Sequence, residues 1–301
     1  MLSVRIIVIG ASGQVGQQLM RAGLHVGQNI VGWSSSDVDI TDAAATAEAI
    51  ERAHPDVVIN CAAYTAVDRA ETDYRGASAV NVIGAGNVAG ACARSRSHLV
   101  HVSTDYIFSG SASTPYEVDE QTGPHTVYGK TKLAGELAVR ELLPTAHIVR
   151  TSWVFTGVGS DFVATMLRLE KEREHISVVD DQWGSPTYSA DLAAGLLELA
   201  LQQRNSSQTV PTTLHATNAG VTTWCGLAKE VFASIGADPE RIVPCTTEDF
   251  PRPAPRPTYS ALSGTSWVEA GLRPLRHWRE AVRDAVHNAV TATEHHTAAT
   301  Q

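Results

Sequence analysis

The sequence predicts an α/β fold built on a doubly wound parallel sheet, with a smaller, interleaved C-terminal domain. Residues 4–9 form a β-branched run that ends at Gly10, and such runs are typical of strands covered on both faces. Strands and helices then alternate over about the first 150 residues, as right-handed βαβ crossovers require. A chain of 301 residues is long enough for one or two domains with a substantial core.

The strands are short apolar runs bounded by turn residues, and the helices are longer segments rich in Ala and Leu between them. In chain order we predict a strand at 4–9, a helix at 14–23, a strand at 29–33, a helix at 42–53, a strand at 57–60, a helix at 77–94, a strand at 99–102, a helix at 128–141, a strand at 147–151, a helix at 162–172, a strand at 176–179, a helix at 191–202 and a strand at 214–218. Thr41 is a possible N-cap of the second helix.

The regular alternation ends near Arg150, and this indicates a domain boundary. We predict that residues 1–152 form the larger domain, to which a segment at about 178–220 returns, and that residues 153–177 and 221–290 form the smaller domain. Residues 251–257 hold four prolines and two arginines, a composition that excludes a helix and suits an extended covering strand. Residues 291–301 are expected to be a flexible tail.

Composition and charge exclude several classes of function. A net charge of −9 provides no global positive field for nucleic acid or anionic lipid, and no apolar stretch is long enough to span a bilayer. The four cysteines are widely spaced and form no Cys-x-x-Cys pair, which argues against a disulfide framework and a zinc site. The first ten residues do not resemble a signal peptide. We therefore expect a cytoplasmic globular protein with reduced thiols and no metal site.

A glycine-rich turn follows the first predicted strand. Gly10, Gly13 and Gly16 form Gly-x-x-Gly-x-x-Gly between a strand and a helix, the context that distinguishes a dinucleotide fingerprint from a chance cluster. Gly10 allows the tight turn, Gly13 lets the backbone approach a pyrophosphate, and Gly16 permits close packing of helix and strand. The helix N-terminus adds unpaired N–H donors. The larger domain is thus expected to be a Rossmann-type NAD(P)-binding domain.

The end of the second strand bears on the choice of cofactor. An acidic residue there would hold the ribose 2′-hydroxyl of NAD, but the sequence at this place is Trp33-Ser34-Ser35-Ser36, with no arginine to require a phosphate. This favours NADPH as the cofactor, with NADH tolerated. Asp39 and Ile40 follow and would border the adenine; alternatively, Asp39 is only a turn residue.

A tyrosine and a lysine stand four residues apart on one face of the helix predicted at 128–141. In Tyr128-Gly129-Lys130-Thr131-Lys132 the ammonium of Lys132 is expected to lower the pKa of the Tyr128 phenol and make it a better acid. Thr104 lies just beyond the strand at 99–102, at the edge where open α/β sheets bind ligands. Its hydroxyl could donate to a carbonyl that Tyr128 protonates.

Six segments of the chain combine into a specific pattern. They are Gly10-Ala11-Ser12-Gly13-Gln14-Val15-Gly16, Asn60-Cys61-Ala62-Ala63-Tyr64-Thr65-Ala66-Val67-Asp68, Ser103-Thr104-Asp105-Tyr106-Ile107-Phe108-Ser109-Gly110, Tyr128-Gly129-Lys130-Thr131-Lys132, Arg150-Thr151-Ser152-Trp153-Val154-Phe155 and Asp181-Gln182-Trp183-Gly184-Ser185-Pro186-Thr187. Together they resemble the extended short-chain dehydrogenase/reductases and, within them, the dTDP-4-dehydrorhamnose reductases. The similarity runs from the first strand to about Leu275.

The resemblance implies reduction of the 4-keto group of dTDP-4-dehydro-6-deoxy-L-mannose to dTDP-L-rhamnose by NADPH, in nucleotide-sugar biosynthesis. It implies that the catalytic residues are Thr104, Tyr128 and Lys132. The residues expected at the cofactor are Gly10, Gly13, Gln14, Val15, Gly16, Asp39, Ile40, Ala62, Ala63, Tyr64, Thr65, Tyr128 and Lys132. Those expected at the sugar nucleotide are Thr104, Asp105, Tyr106 and Trp153, while Arg252 and Arg256 would meet the diphosphate or be solvated.

Other functions remain open at this stage. A 4,6-dehydratase of the superfamily would resemble Thr-Asp-Glu where this chain has Thr104-Asp105-Tyr106, and a 4-epimerase or another sugar-nucleotide reductase is a further alternative. A non-catalytic nucleotide-binding subunit, like the β subunit of methionine adenosyltransferase, shares the fold and motifs. Some relatives dimerise through magnesium-bound glutamates, but here the first helix carries Gln17 and Gln18. Magnesium is therefore doubtful, and we expect a monomer or weak homodimer that binds neither nucleic acid nor membrane.

Overall fold

The computed structural model describes residues 4–25, 27–205 and 210–299. The elements of the first half are β1 (Arg5–Ile9), α1 (Gln14–His25), β2 (Asn29–Trp33), α2 (Ala43–Ala53), β3 (Val57–Asn60), α3 (Val67–Ala70), α4 (Tyr74–Ser78), a π-helical turn (Ala79–Gly84), α5 (Ala85–Ser95), β4 (His98–Thr104), a 3-10 turn (Asp105–Ile107), α6 (Val127–Leu142) and β5 (His147–Thr151). The expected strands at 29–33, 57–60 and 147–151 are confirmed to the residue.

The described part of the second half contains shorter strands, with helices of different lengths between them. They are β6 (Val154–Phe155), α7 (Phe162–Glu172), β7 (Ile176–Val179), β8 (Trp183–Gly184), β9 (Thr187–Tyr188), α8 (Ser189–Asn205), β10 (Thr213–His215), β11 (Thr222–Thr223), α9 (Trp224–Ser234), a 3-10 turn (Pro239–Arg241), β12 (Ile242–Cys245), α10 (Thr265–Glu269) and α11 (Trp278–Ala299). None of the described helices is long and apolar enough to cross a membrane.

Within the described residues the main sheet has six parallel strands in the order β10-β5-β4-β3-β1-β2. The strand order reverses between β1 and β3, so the crevice at their carboxyl ends is the expected ligand site of an open α/β sheet. One apolar cluster joins the sheet to α1, α8 and the region of α10, and another joins its opposite face to α2, α5 and α6. These two layers confirm the doubly wound α/β class.

A second core lies outside the main sheet, where α7, α9 and α11 pack around Phe155, Phe232 and Trp278. Three two-stranded pairs, β6–β9, β7–β12 and β8–β11, support it. Trp267 of α10 is buried in the cluster that joins the main sheet to α1 and α8 rather than in this second core. The domain bounds at 152, 178–220 and 290 stay a prediction.

Some local expectations were wrong, each for a physical reason. Asp42, not Thr41, caps α2, because its carboxylate accepts from the N–H groups of Ala44 and Ala45. The strand at 99–102 begins at His98, which pairs with β3, and extends to Thr104, because Ser103 and Thr104 pair with β5. The helix at 77–94 begins at Tyr74 and contains the π-helical turn.

The C-terminal half differs from expectation in a similar way. The strand at 214–218 lies at Thr213–His215, because pairing with β5 ends after the bond from Ala216 N–H to the Arg150 oxygen, and the helix at 191–202 is longer at both ends. Residues 251–257 form no regular strand, although bridges follow at Tyr259 and Leu262. α11 includes residues 291–299 of the expected tail, whose flexibility stays a prediction, and residues 300–301 lie outside the described residues.

Candidate active site

The glycine turn between β1 and α1 is built as a phosphate-binding turn. Gly10 has φ +80°, and a Cβ there would come within 2.7 Å of the Ala62 nitrogen, so only glycine fits. A Cβ on Gly16 would lie 2.2 Å from the Gly10 oxygen. Gly13, in contrast, is exposed, and a Cβ there would meet only that same oxygen, at 3.3 Å. Packing therefore requires glycine at positions 10 and 16. Packing does not require it at position 13, where the absence of a side chain leaves room for a ligand to approach the backbone.

The start of α1 fits a dinucleotide pyrophosphate. The first N–H groups of a helix have no partner within it and carry a partial positive charge. No acidic residue stands in the first turn of α1, which begins with Gln14 and Val15. The turn itself is rigid, because Gly13 N–H donates to the Gly10 oxygen and Gln17 Nε2 to the Ser12 oxygen.

The turn after β2 contains a carboxylate that the sequence analysis overlooked. Asp37 accepts from both the N–H and the Oγ of Ser34, each at 2.7 Å, and these bonds lower its pKa. The Ser34 and Ser36 hydroxyls are 2.7 Å apart. The Asp37 carboxylate thus lies in the turn after β2, four residues after Trp33. The Trp33 backbone oxygen accepts from Gly10 N–H and Ala11 N–H, so this turn is next to the glycine turn.

Asp39 and Ile40 have structural partners. The Asp39 carboxylate accepts from the N–H and Oγ1 of Thr41, and both bonds lower its pKa, as in a turn residue. Ile40 is 5 % exposed and packs in the core. Their contact with an adenine stays a prediction.

The segment after β3 lies beside the glycine turn. Cys61 N–H donates to the Ile9 oxygen, and Ala62 N–H to the Asn60 side chain. We call residues 61–66 the cofactor loop; it contains the predicted contacts Ala62, Ala63, Tyr64 and Thr65.

Asn81 fixes this loop. From the π-helical turn, its side chain accepts from Tyr64 N–H at 2.8 Å and donates to the Tyr64 oxygen and to Thr131. A Cβ on Gly135 would lie 2.0 Å from the Asn81 oxygen, so the π-helical turn and α6 are in close contact. Asn81 was missed because a lone asparagine in a predicted helix carries no signal.

The structure brings Thr104 and Tyr128 together. Thr104 is the last residue of β4, and its Oγ1 donates to Asp105 Oδ1 at 3.0 Å. Tyr128 lies in the first turn of α6, whose start is held by the Thr126 cap and by Glu71, which accepts from Val127 N–H. The Tyr128 ring is buried and meets Tyr106 edge-on, with 5.4 Å between ring centroids.

The expected lowering of the Tyr128 pKa is wrong, because burial raises this pKa and Lys132 is not among the groups that shift it. Burial raises the pKa of Tyr128 to about 12; the Thr104 hydroxyl opposes this rise and the Asp105 carboxylate adds to it. Desolvation penalises the phenolate more than its neighbours stabilise it. Tyr128 is therefore fully protonated at neutral pH, the state that a proton donor needs.

Lys132 is a buried cation with its own support. It is 2 % exposed, and Nζ donates to the Val102 oxygen at 2.7 Å. Burial lowers the pKa of Lys132 to about 8, while Glu136, one turn further along α6, raises it. Arg150 in turn pairs with Glu136 through two bonds of 2.9 and 3.1 Å. Lys132 thus remains mostly charged at neutral pH.

Asp105 is a second buried titratable group at this edge. It is 3 % exposed, and its Oδ2 has no hydrogen-bond partner within the described ranges. Burial raises the pKa of Asp105 to about 6, against the Ser260 and Thr104 hydroxyls that face it. An unpaired buried carboxylate oxygen suits a hydroxyl-bearing ligand.

Trp153 has a strained backbone conformation, and neighbouring residues hold its side chain in place. Its φ of 45° lies in the left-handed region, which is rare for large residues. Its indole stacks on Trp224, with 3.6 Å between ring centroids, and a Cβ on Gly184 would come within 2.4 Å of it. Trp224, missed from sequence because it lies 71 positions later than Trp153, fixes the indole against a glycine.

A cavity of about 580 Å³ opens beside these side chains, between the main sheet and the second core. Its walls include Tyr106, Trp153, Trp224, Phe250, Arg252 and Arg256. Among the described residues Arg252 has no ion-pair partner, and its guanidinium lies 5.1 Å from the Phe250 ring centroid. Aromatic faces beside a guanidinium that is not held in an ion pair suit a nucleotide base and a diphosphate.

Comparison with known proteins gives consistent matches. A family profile described as RmlD substrate binding domain matches residues 4–291. A curated dTDP-4-dehydrorhamnose reductase of Mycolicibacterium smegmatis is 49 % identical, covering 97 % of this chain and 88 % of the relative. One of Mycobacterium tuberculosis is 50 % identical, covering 94 % and 93 %.

A solved structure has the same architecture. The dTDP-4-dehydrorhamnose reductase of Bacillus anthracis, in complex with NADP, matches with a TM-score of 0.89 and 36 % identity, covering 95 % of this chain and 100 % of that one. The similarity spans both cores rather than the main sheet alone.

Proposed function

This chain belongs to the RmlD substrate binding domain family, and from that membership we propose how its residues bind and protonate the substrate. It is an NADPH-dependent oxidoreductase that carries out the reduction step of dTDP-rhamnose biosynthesis. The substrate that we assign is dTDP-4-dehydro-6-deoxy-L-mannose, reduced at C4 to dTDP-L-rhamnose. The observation that carries the mechanism is the juxtaposition of Thr104 with Tyr128 at the carboxyl edge of the main sheet. Tyr128 in turn shares one face of α6 with Lys132.

The residues present fit a bound dinucleotide. The open Gly13 and the start of α1 would hold the pyrophosphate, and the cofactor loop would flank it. Lys132 would hold the nicotinamide ribose. When bound, NADPH supplies the hydride that reduces C4.

Three side chains act at the sugar carbonyl. Thr104 Oγ1, once its proton turns from Asp105 to the substrate, orients and polarises the C4 oxygen, and Tyr128 donates its phenolic proton to that oxygen. A phenol with a pKa of about 12 still protonates an alkoxide, which is a far stronger base than a phenolate. Lys132 stabilises the phenolate that remains, since its ammonium is charged at neutral pH.

The sugar nucleotide is held by groups from both cores. Asp105 accepts from a sugar hydroxyl, and Trp153 and Tyr106 pack against the ring. Arg252 receives the diphosphate, since both terminal nitrogens of Arg256 already donate within the protein. Contact of Arg256 with the diphosphate stays a prediction.

Two features of the turn after β2 act in opposite directions on the choice between NADPH and NADH. Neither β2 nor residues 34–36, which follow it, carry an acidic side chain, but Asp37 places a carboxylate in the same turn. We propose that NADPH is used and NADH accepted, with Asp37 limiting the preference for the 2′-phosphate because like charges repel.

The alternative functions have weaker support. The position after Asp105 holds Tyr106, which packs on Tyr128 rather than offering a second carboxylic acid for dehydration. A non-catalytic subunit does not need the buried and separately supported Lys132.

The decisive assay follows NADPH absorbance with purified protein, with and without the dTDP-4-keto sugar. Oxidation that requires the keto sugar supports the reductase, and cofactor binding without turnover supports the regulatory alternative. Tyr128→Phe should lower turnover by roughly a hundredfold or more, because the proton donor is lost. Near-normal turnover of this variant would remove Tyr128 from the mechanism.

A further inference from the structure

A segment from the C-terminal part of the chain passes along the cavity, which its residues Arg256 and Pro257 line. We call residues 254–263 the strap. Thr258 Oγ1 and Tyr259 N–H both donate to the Gly110 oxygen, and Ser260 N–H donates to the Trp183 oxygen. Tyr116 N–H donates to the Ala261 oxygen. The strap is thus fixed to the segment that follows the catalytic strand.

The other end of the strap is held by one carboxylate. Asp68 Oδ1 accepts from Arg256 Nη1 at 2.9 Å and from Ala254 N–H at 3.2 Å, and Asp68 Oδ2 accepts from Arg256 Nη2 at 2.8 Å. The two side chains are 32 % and 20 % exposed, so water screens the pair only in part. Arg256 Nη1 also donates to the Ala254 oxygen.

Asp68 belongs to the cofactor side of the molecule. It lies in α3, directly after the cofactor loop, whose Tyr64 is fixed by Asn81 and whose Ala62 touches Gly10. Contacts therefore run without a break from the glycine turn through the cofactor loop to Asp68 and the strap.

The strap end that Asp68 holds forms the wall of the cavity. Arg256 and Pro257 line it, and Arg252 stands two residues before the anchored Ala254. A Cβ on Gly110 would come within 2.4 Å of Pro257, which shows how closely this wall packs. Without the Asp68 bonds, this wall would keep the hydrogen bonds of Thr258 and Tyr259 to Gly110. It would lose the hydrogen bonds at Ala254 and Arg256, which lie close to Arg252 in the chain.

Resting on the proposed function, we propose that Asp68 is a positioning residue for the sugar-nucleotide site. Its carboxylate joins the cofactor loop to the strap and so holds the arginine-bearing wall ready for the diphosphate. Ordering that wall in advance removes an entropy cost from substrate binding. Asp68 touches neither the C4 carbonyl nor the proton donor, so its loss should weaken nucleotide binding and leave the chemical step unchanged.

Asp68→Asn tests this role with little change in size. The amide keeps one acceptor but presents an NH₂ group where Arg256 needs an oxygen. We expect the Kd for dTDP, measured by calorimetry, and the KM for the keto sugar to rise about tenfold, with kcat within about twofold and the Kd for NADPH unchanged. Asp68→Glu, which keeps the charge, should recover part of the loss. Because Asp68→Glu keeps the carboxylate, it gives the same readout, with a smaller effect, if Asp68→Asn folds poorly.

Glu170→Gln is the matched control. Glu170 pairs with Arg241 at 2.8 Å with similar exposure, 22 % and 25 %, and does not line the cavity. Unchanged dTDP affinity in this control, with weakened affinity in Asp68→Asn, supports the proposal. Wild-type dTDP affinity in Asp68→Asn, or an equal loss of dTDP and NADPH binding, overturns it. Wild-type protein that binds no dTDP would instead overturn the proposed function.

Discussion

The buried pair of Glu136 and Arg150 should be the most sensitive point of the site to a single substitution. The two side chains are 3 % and 8 % exposed, and Arg150 makes two bonds to the carboxylate. Glu136→Gln leaves a buried guanidinium without its counter-charge, which costs roughly 3–5 kcal/mol in unfolding free energy. At about 2–4 °C per kcal/mol for a large domain, the melting temperature should fall by roughly 6–20 °C.

The same substitution should change activity with a defined sign. Glu136 raises the pKa of Lys132, which is about 8, so its loss lowers that pKa further. Less of the ammonium is then charged at neutral pH, and the alkaline limb of the kcat/KM profile should move to lower pH. Thermal unfolding measures the loss of stability. The kcat/KM profile from about pH 5.5 to 9, a range that includes the Lys132 titration, measures the shift of the alkaline limb.

Two controls separate this reasoning from a general loss of stability. Glu48→Gln breaks an exposed pair with Arg52, whose side chains are 70 % and 74 % exposed, and should cost less than about 1 kcal/mol. Replacing both Glu136 and Arg150 by methionine removes the unpaired charge and should be less destabilising than Glu136→Gln alone. A Glu136→Gln protein within about 1 kcal/mol of wild type, with an unshifted pH profile, would refute the reasoning.

Three further predictions follow from the described geometry. Gly13→Ala should weaken NADPH binding, measured by fluorescence titration, with little change in melting temperature. Gly16→Ala should mainly lower the melting temperature, measured by thermal unfolding, because its Cβ would lie 2.2 Å from a backbone oxygen. Asp37→Asn should raise the ratio of kcat/KM for NADPH to that for NADH, and an unchanged ratio would place Asp37 away from the 2′-phosphate. Asp105 has a pKa raised to about 6, so its ionisation costs stability as pH rises from about 4 through 6; relative to wild type, Asp105→Asn should gain roughly 2.4 kcal/mol in unfolding free energy between pH 4 and pH 7.5, and parallel stability curves would contradict this.

Local pattern was sufficient where neighbouring residues decide the structure. The helix at 162–172 and the strand at 176–179 were predicted to the residue, because their apolar spacing and flanking polar residues are local signals. The four-residue spacing of Tyr128 and Lys132 placed both on one helical face for the same reason. The strand at 99–102 was too short because pairing with β3 and β5, which the sequence does not display, extends it.

The sequence by itself determined the order of strands and helices, the glycine turn and the residue types that carry proton transfer, since these depend on spacing along the chain. Only the tertiary structure decided the electrostatics: burial by distant elements raises the pKa of Tyr128, which its nearby lysine was expected to lower. It also decided the partner of Arg256, which is Asp68, 188 residues away. Desolvation and long-range pairing depend on how the elements pack in space, and that packing cannot be obtained from local spacing.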